Sequence, residues 1–269
     1  MKLGVIGAGA MGEAIVAAVL RAGLADAREI RVADLAAARL KHVSATYGVA
    51  ASGANREAAA GVDVLVFALK PQDFDDAAKA LSGTIGEGTT VLSIMAGVTI
   101  DRLTRKLATP RVVRAMPNTP AQIGEGMTVW TATPAVSTEG REAARAVFGA
   151  LGREAYVPEE KYLDMATGLS GSGPAYVFLF IEALIDAGVH IGLSRDLATT
   201  MALQTVLGSA RYAIETQRHP AELRDQVTSP GGTTAEALRE LEAAGFRAAV
   251  LEAVIAAYEK SKALGEESK

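Results

Sequence analysis

The chain opens with a short apolar segment that runs directly into a glycine-rich hexapeptide. Leu3-Gly4-Val5-Ile6 is predicted to form a strand, and Gly7-Ala8-Gly9-Ala10-Met11-Gly12 follows it without a gap. The helical pattern of residues 11–22 begins inside the hexapeptide. A G-x-G-x-x-G sequence between a strand and a helix is typical of a βαβ unit that binds a dinucleotide. This arrangement predicts an oxidoreductase that binds its cofactor at the N-terminal end of the chain.

Each glycine of the hexapeptide has a predicted role. Gly7 permits the tight turn, Gly9 lets a pyrophosphate approach the backbone, and Gly12 lets the helix pack closely on the strand. The free amides at the helix N-terminus then face the phosphates. The alternative is a tight turn that binds no ligand.

An acidic residue about 20 positions after the glycines completes this pattern. Asp34 stands there, at the end of a predicted second strand over residues 29–33. A carboxylate at that place accepts hydrogen bonds from the ribose hydroxyls and repels a 2′-phosphate, so Asp34 taken alone favours NADH over NADPH. Arg39 and Lys41 follow closely and soften that preference. The alternative role for Asp34 is to cap the next helix, and the two roles can coexist.

Short β-rich runs alternate with helical patterns up to about residue 158. Strands are predicted over residues 3–6, 29–33, 63–68, 89–94, 111–115, 127–130 and 153–157, with helices over 11–22, 35–47, 71–81 and 137–148 and a short one from 101. This alternation predicts right-handed crossovers and a parallel, doubly wound sheet. Ligands bind at the carboxyl ends of such strands, so Ala68-Leu69-Lys70-Pro71 and residues 93–97 are predicted to line the cofactor. The Lys70 side chain is predicted to be exposed on a turn whose backbone matters, not to be a catalytic amine.

After residue 158 the strand signals vanish. Ala/Leu-rich stretches predict helices over residues 175–191, 194–215, 235–244 and 247–264, with breaks at 171–174, 219–220 and 229–232. Several of these helices are apolar on more than one face, which favours burial against a second copy of the chain. We therefore predict an α/β protein in which a Rossmann-type, doubly wound sheet over residues 1–158 precedes an all-α substrate-binding and dimerisation domain over 159–269.

Composition excludes several classes of function. The chain has no cysteine and only three, widely separated histidines, which argues against disulfides, thiolate catalysis and a metal site. Its net charge of −4 gives no basic field for nucleic acid. No secretory signal is expected, and Glu182 and Asp186 interrupt the most apolar run, so no membrane span is expected either. A cytoplasmic location is the resulting expectation.

A second helix N-terminus is predicted in the segment DQVTSPGGTTAEAL, residues 225–238. The chain enters a helix there through Gly231-Gly232-Thr233-Thr234, whose free amides suit a carboxylate. The site carries two hydroxyls and no fixed charge. The alternative is a plain helix start with Thr as the capping residue.

Six segments in this order and spacing resemble pyrroline-5-carboxylate reductase: GAGAMG, ALKPQ, SIMAGV, RAMPNTP, TGLSGSGPAYVF and DQVTSPGGTTAEAL. The resemblance covers residues 2–260, and the last two segments are its most specific part. It implies reduction of the cyclic imine 1-pyrroline-5-carboxylate to L-proline, the last step of proline biosynthesis, with NADPH or NADH. It also implies a helical domain that intertwines with that of a partner, in a homodimer or a larger homo-oligomer, with each active site between the Rossmann domain of one subunit and the helices of the other.

Carried over residue by residue, the resemblance also implies the site. Residues 7–12 hold the pyrophosphate, and Asn55, in a loop, contacts the adenosine side. The nicotinamide ribose is flanked by Ala68, Leu69, Lys70, Pro71, Met95 and Ala96, and Asn118 lies near the nicotinamide. The substrate-binding loop comprises Ser229, Gly231, Gly232, Thr233 and Thr234. Its backbone amides bind the substrate carboxylate, and Thr234, the catalytic candidate, hydrogen bonds the ring nitrogen.

One departure from the family pattern concerns the cofactor. Many relatives carry Ser or Asn, often with a basic neighbour, where this chain has Asp34-Leu35-Ala36. The departure opposes the usual NADPH preference of the family.

Two alternatives stay open at the level of sequence. A β-hydroxyacid dehydrogenase has a similar layout but uses a Lys on the helix after the interdomain linker, where this chain has hydroxyls at Ser170 and Ser172 and only Lys161 nearby. A non-catalytic dinucleotide sensor keeps GAGAMG but has no need of the SPGGTT loop. Related cyclic imines also remain possible substrates.

Overall fold

The computed structural model of the protein describes residues 1–81 and 83–267. Within these residues, eight strands form one sheet: β1 (Leu3–Ile6), β2 (Ile30–Ala33), β3 (Ala50–Ser52), β4 (Val64–Phe67), β5 (Thr90–Ser93), β6 (Val112–Met116), β7 (Gly126–Ala132) and β8 (Gly152–Tyr156). The described α-helices are α1 (Ala10–Arg21), α2 (Ala37–Tyr47), α3 (Asn55–Ala59), α4 (Phe74–Leu81), α5 (Ile100–Leu107), α6 (Thr138–Ala150), α7 (Lys161–Ala166), α8 (Gly173–His190), α9 (Arg195–Thr216), α10 (Pro220–Gln226), α11 (Thr233–Ala243) and α12 (Phe246–Glu267).

The strand order is β3-β2-β1-β4-β5-β6-β7-β8. The first six positions have the order of the doubly wound dinucleotide-binding fold and are parallel throughout. The predicted fold class, an α/β protein with a Rossmann-type sheet followed by helices, is confirmed.

The sheet is not parallel at β7, where the prediction is wrong. This strand runs antiparallel to β6, with Arg114 opposite Thr131, and then pairs in parallel with β8. Only residues 117–125 join β6 to β7. A parallel crossover needs a dozen or more residues, so a connection of this length returns the chain in the opposite direction.

Both faces of the sheet are covered by helices. The side chains of β4 alternate between two cores, because Val64 and Val66 pack with α1 and α6 whereas Leu65 and Phe67 pack with α3, α4 and α5. All four side chains are buried. A strand buried on both faces is apolar throughout, which explains the uninterrupted run on which its prediction rested.

In the first 158 residues, the strand β3 and the α-helix α3 were not predicted. β3 is the sequence Ala-Ala-Ser at the sheet edge, and it pairs with β2 through Arg31 and Ala50. Its residues are small and partly exposed, so they carry no hydrophobic pattern. Pairing with β2, not local preference, makes this segment a strand.

By its contacts the chain divides into two compact units. The first comprises residues 1–172 together with the end of the chain from Ala256, and the second comprises residues 173–255. The division predicted from the sequence, between residues 158 and 159, concerns a dinucleotide-binding and a substrate-binding domain, and it stays a prediction. The segment from Ala256 packs with the first unit. The Ser261 hydroxyl, which donates to Asp164 at 2.8 Å, is one of the contacts that hold it there.

The four long helices predicted in the second half are present as α8, α9, α11 and α12. Ser194 caps α9 as predicted, because its hydroxyl accepts from the Leu197 amide at 3.3 Å. The predicted break at residues 219–220 is instead the start of α10, with Pro220 at its first position and His219 as its cap. Proline suits a helix start because the missing N–H has no intrahelical partner there.

The turn-rich segment at residues 167–176 is largely helical, and the predicted break at residues 171–174 is reduced to a bend at Ser172. Thr167–Gly171 forms a π-helical turn, in which the Ser172 amide donates to the Thr167 carbonyl at 2.8 Å, and α8 follows from Gly173. Pro174 is the second residue of α8, where it costs no hydrogen bond. The Thr167 and Ser170 hydroxyls donate to carbonyls four residues earlier. These serines and threonines therefore support a helix instead of ending it.

One helical segment, Lys161–His190, is long and apolar enough to span a membrane by length and composition, although only 6% of its apolar window is buried. Its exposed side chains include Phe178 and Leu179. Helices that pack against another subunit expose the same kind of surface in a single chain. Length and composition therefore do not distinguish a membrane span from a helix that packs against another subunit.

Candidate cofactor and substrate sites

The turn after β1 requires glycine at two positions. Gly7 has a φ of +105°, and a Cβ atom there would lie 2.5 Å from the Ala68 carbonyl oxygen. A Cβ at Gly12 would overlap the Gly7 carbonyl oxygen. The sequence prediction assigned these glycines to the tight turn and to the close packing of helix on strand, and the geometry agrees with both assignments.

Gly9 differs from its two neighbours because no atom lies within 4 Å of the position its Cβ would take. It is the N-cap of α1, and no side chain caps the helix. The first amides of α1 therefore lack intrahelical partners and point out of the helix end. This open cradle of backbone amides fits a pyrophosphate, which residues 7–12 were predicted to hold.

Asp34 is hydrogen bonded to the backbone on both sides of its carboxylate. Oδ2 accepts from the Ala8 amide at 2.6 Å, and Oδ1 accepts from the Ala36 amide at 2.7 Å. The N-cap of α2 is Ala36, so Asp34 closes the turn before that helix and does not cap it directly. Each carboxylate oxygen keeps a second lone pair, which can accept from a ribose hydroxyl.

The residue predicted to contact the adenosine, Asn55, lies near Asp34, at the edge of the sheet that β3 forms beside β2. Asn55 is half-buried and is the first residue of α3, not part of a loop as predicted. It follows β3, whose last residue, Ser52, accepts a hydrogen bond from the Asp34 amide at 3.3 Å. Asp34 and Asn55 thus follow the ends of two neighbouring strands, β2 and β3.

At the ends of β4 and β5, the predicted cofactor site is lined by backbone more than by side chains. Ala68 and Leu69 lie against the glycine turn, within 3.1 Å of the position of a Gly7 Cβ atom. Lys70 is exposed, as predicted, and Pro71 begins a short 3-10 helix. Met95 is only 1% exposed and packs in the core, so its backbone alone can face a ligand, whereas the adjacent Ala96 is half-buried.

Asn118 is held at both ends of its side-chain amide. Oδ1 accepts from the Met127 amide at 2.8 Å, and Nδ2 donates to the Ser170 carbonyl at 3.1 Å. The side chain thereby ties the turn after β6 to the start of β7 and to the π-helical turn. Its predicted place near the nicotinamide stays a prediction, and the hydrogen bonds give it a clear structural role.

A buried charge cluster around Arg114 was missed at the level of sequence. The Arg114 side chain is 2% exposed, and its Nη1 lies 2.6 Å from Glu160 Oε1. The same Glu160 oxygen accepts from the Ile100 amide at the start of α5. Asp164 Oδ1 lies 4.0 Å from Arg114 Nη2 and accepts from Ser261. The signal in the sequence is one arginine inside the apolar strand VVRAM, because a buried charge requires a partner.

The predicted substrate loop lies in the second unit. Gly231 has a φ of +69°, and Gly232 is the N-cap of α11, with no side-chain cap. The alternative of a threonine cap is therefore wrong, because Thr233 and Thr234 are the first residues of the helix itself. Thr234 is half-buried and Thr233 is exposed. The first amides of α11 remain uncapped and can hold a carboxylate.

Lys161, the lysine nearest to the position that a β-hydroxyacid dehydrogenase would use, is engaged elsewhere. It is exposed and lies 2.8 Å from Glu159, and the hydrogen bond with Glu159 raises the pKa of Lys161. Among the described residues, no group of three or more His, Asp or Glu side chains is placed to hold a metal ion.

Comparison with known proteins gives a match over nearly the whole chain. A pyrroline-5-carboxylate reductase from Synechocystis is 46% identical over 266 residues, covering 99% of both chains. A solved pyrroline-5-carboxylate reductase from Coxiella burnetii superposes with a TM-score of 0.90 at 35% identity, covering 98% of both chains. The chain belongs to the pyrroline-5-carboxylate reductase family. This confirms the resemblance inferred from the six motifs and removes the β-hydroxyacid dehydrogenase alternative.

Further matches agree with this family. The pyrroline carboxylate reductase of Plasmodium falciparum, solved with NADP bound, superposes with a TM-score of 0.89 at 33% identity over 98% of both chains. The family model described as pyrroline-5-carboxylate reductase dimerisation matches residues 160–264, and the one described as NADP oxidoreductase, coenzyme F420-dependent, matches residues 2–97. The dimerisation region contains the whole of the apolar segment Lys161–His190, so the exposed apolar side chains of that segment lie in the part of the chain that the family uses for dimerisation.

Proposed function

We propose that this chain reduces 1-pyrroline-5-carboxylate to L-proline with a nicotinamide dinucleotide, the activity named for its family. The proposal rests on the 46% identity to a pyrroline-5-carboxylate reductase, which extends over 99% of both chains. The open glycine turn supports it, because the turn is shaped for a dinucleotide.

The protein has mainly to position two molecules. When bound, the reduced nicotinamide supplies a hydride for C5 of the imine. The amides of α1 hold the pyrophosphate, and the amides of α11 hold the substrate carboxylate. Hydride transfer requires the donor and acceptor atoms to be about 3–3.5 Å apart. The Thr234 hydroxyl hydrogen bonds the ring nitrogen, which gains a proton as the C=N bond becomes C–N. Thr234 is a poor acid, so we assign it an orienting role, with water as the proton source.

We further propose that NADH is the better cofactor. The Asp34 carboxylate is fixed by two backbone amides at the place where the ribose hydroxyls bind. A 2′-phosphate there meets a negative charge that has no freedom to turn away. The relative from Plasmodium falciparum was solved with NADP bound, so the proposed preference for NADH rests on Asp34 of this chain and not on that relative.

The chain forms a homo-oligomer through its dimerisation region, and its substrate is a small molecule. We also propose that residues 1–158 form the dinucleotide-binding domain and that residues 159–269 form the substrate-binding domain. We further propose a cytoplasmic location. Related cyclic imines are to be tested as competing substrates.

The decisive experiment compares initial rates of NADH and NADPH oxidation with 1-pyrroline-5-carboxylate as substrate. We expect turnover with both cofactors and a larger kcat/KM with NADH. No turnover with either cofactor, from folded protein that binds dinucleotide, would refute the imine reduction. Turnover with a larger kcat/KM for NADPH would refute only the proposed preference.

A further inference from the structure

One carboxylate on α1 holds three side chains of α2. Glu13 lies in the first turn of α1, and its Oε1 is 2.9 Å from His42 Nε2 and 3.2 Å from the Tyr47 hydroxyl. Its Oε2 lies 3.7 Å from Arg39 Nη1. The Glu13 side chain is 21% exposed, whereas Arg39 and His42 are about half exposed. The contacts therefore draw two mobile basic side chains onto α1.

Arg39 is placed where a 2′-phosphate would need a cation. It is the third residue of α2, directly after the turn that Asp34 closes. Helical side chains lean toward the helix N-terminus, so the natural direction of Arg39 is toward that turn. In this fold an arginine close to the ribose-binding acid is the group that accommodates the 2′-phosphate of NADPH.

The position of Lys41 provides a contrast on the same helix. Residues three apart lie on one face of a helix, so Arg39 and His42 share the face that meets Glu13, whereas Lys41 projects from another. Lys41 is exposed. The chain thus supplies a control cation of the same charge, two residues from Arg39, on a face that Glu13 does not contact.

We propose that Glu13 is a specificity-determining residue, which restrains Arg39 and His42 on α1 and so denies a cationic partner to a 2′-phosphate. The inference rests on the proposed function and extends it. Asp34 repels the phosphate directly, and Glu13 removes the nearby arginine that would offset this repulsion. Preference for NADH then depends on two carboxylates on different elements, of which only Asp34 contacts the ribose.

The test is a binding experiment on the full-length protein without substrate. Dissociation constants for NADH and NADPH are measured by nucleotide fluorescence, and those for AMP and adenosine 2′,5′-bisphosphate by competition. Glu13→Gln keeps polar atoms for Tyr47 and His42 but loses the charge that attracts Arg39. We expect the NADPH Kd to fall about 2- to 5-fold relative to that of NADH, as for the gain of one exposed ion pair. The bisphosphate should gain over AMP by a similar factor.

Two further variants separate this mechanism from a general loss of negative charge. Arg39→Gln in the Glu13→Gln background should abolish the gain, whereas Lys41→Gln in the same background should leave it in place. A gain that survives Arg39→Gln, or an unchanged ratio in folded Glu13→Gln protein, would overturn the proposal.

Arg39→Gln alone provides a test that does not depend on the folding of any Glu13 variant. If Arg39 is withheld from the ribose site, this variant binds NADH and NADPH in the wild-type ratio. A selective loss of NADPH binding would show that Arg39 already serves the phosphate and would overturn the proposal. Because no substrate is present, failure of imine reduction would refute the proposed function without affecting this result.

Discussion

The carboxylate of Asp34 accepts a hydrogen bond from the Ala8 amide at 2.6 Å, and this contact joins the end of β2 to the glycine turn after β1. Asp34, which we propose to discriminate between the ribose and its 2′-phosphate, therefore also shapes the turn proposed to receive the pyrophosphate. Substitutions at Asp34 will therefore affect both the cofactor preference and the shape of the glycine turn. The choice of replacement can separate these two effects.

Asp34→Asn removes the charge and keeps an oxygen that can accept from the Ala8 amide. We expect the ratio of kcat/KM for NADPH to that for NADH to rise at least about tenfold, which corresponds to about 1.4 kcal/mol of relieved repulsion. Asp34→Ala also removes the acceptor, so binding of both cofactors should weaken. An unchanged ratio in Asp34→Asn would show that Asp34 does not determine the preference.

Gly9→Ala and Gly12→Ala add the same methyl group at sites with different surroundings. At Gly9 the methyl enters open space beside the turn, so thermal stability should be nearly unchanged while the dinucleotide Kd rises at least about tenfold, or 1.4 kcal/mol. At Gly12 it overlaps the Gly7 carbonyl oxygen, so the protein should lose about 1–3 kcal/mol of stability or more. Thermal unfolding and fluorescence titration measure both effects. Unimpaired cofactor binding by Gly9→Ala would show that the open space is not the phosphate site.

Thr234→Ala should lower kcat/KM for pyrroline-5-carboxylate about 10- to 100-fold, as for the loss of one hydrogen bond worth about 1.5–3 kcal/mol. Thr233→Ala is the matched control. Its exposed side chain has no assigned role, and its backbone amide is retained, so the rate should change little. Equal effects of the two substitutions would remove Thr234 from the catalytic assignment.

Glu160→Ala removes the nearest carboxylate from the buried Arg114, which then has only Asp164 at 4.0 Å, and it removes the acceptor of the Ile100 amide. We expect a loss of about 3 kcal/mol, at the low end for a broken buried ion pair, because the Glu160 side chain is itself 31% exposed. The neighbouring Glu159 makes only an exposed contact with Lys161, so Glu159→Ala should leave stability nearly unchanged. Urea unfolding of the two variants tests the difference, and a Glu160→Ala protein as stable as Glu159→Ala would contradict it.

Leu179→Glu places a charge on the most exposed apolar region of α8, where the Leu179 side chain is 67% exposed. If a second subunit covers this surface, the variant should sediment as a smaller species than the wild type or lose its fold at micromolar concentration. Ile123→Glu is the control, since Ile123 is 76% exposed but lies outside the dimerisation region. A wild-type monomer, or a Leu179→Glu protein of unchanged mass, would contradict the role of α8 in assembly.

Much of the cofactor-binding unit could be predicted because its signals are local. The all-apolar run of β4 indicates a strand covered on both faces, and the spacing of Gly7, Gly9 and Gly12 indicates a turn between a strand and a helix. Gly232 and the two threonines after it likewise mark the start of α11. In each case the residues that carry the pattern also form the element.

Other features could not be predicted because residues far apart in the chain create them. β3 has no apolar pattern and exists because β2 lies beside it. The antiparallel direction of β7 follows from the length of a connection, which residue type does not reveal. The break predicted at residues 171–174 is reduced to a bend at Ser172, because helical turns form on both sides of it despite the turn-forming residue types.

The sequence by itself determined the fold class, the family and the position of the glycine turn, because periodicity and glycine spacing act over a few residues. Only the tertiary structure decided which charges meet. Arg114 and Glu160 form an ion pair although they are 46 residues apart in the sequence. Ser261 donates a hydrogen bond to Asp164, from which it is separated by 97 residues. Glu13 contacts Arg39 and His42 only because α1 and α2 pack together. Electrostatic partners depend on distance in space, which the linear order of residues does not specify.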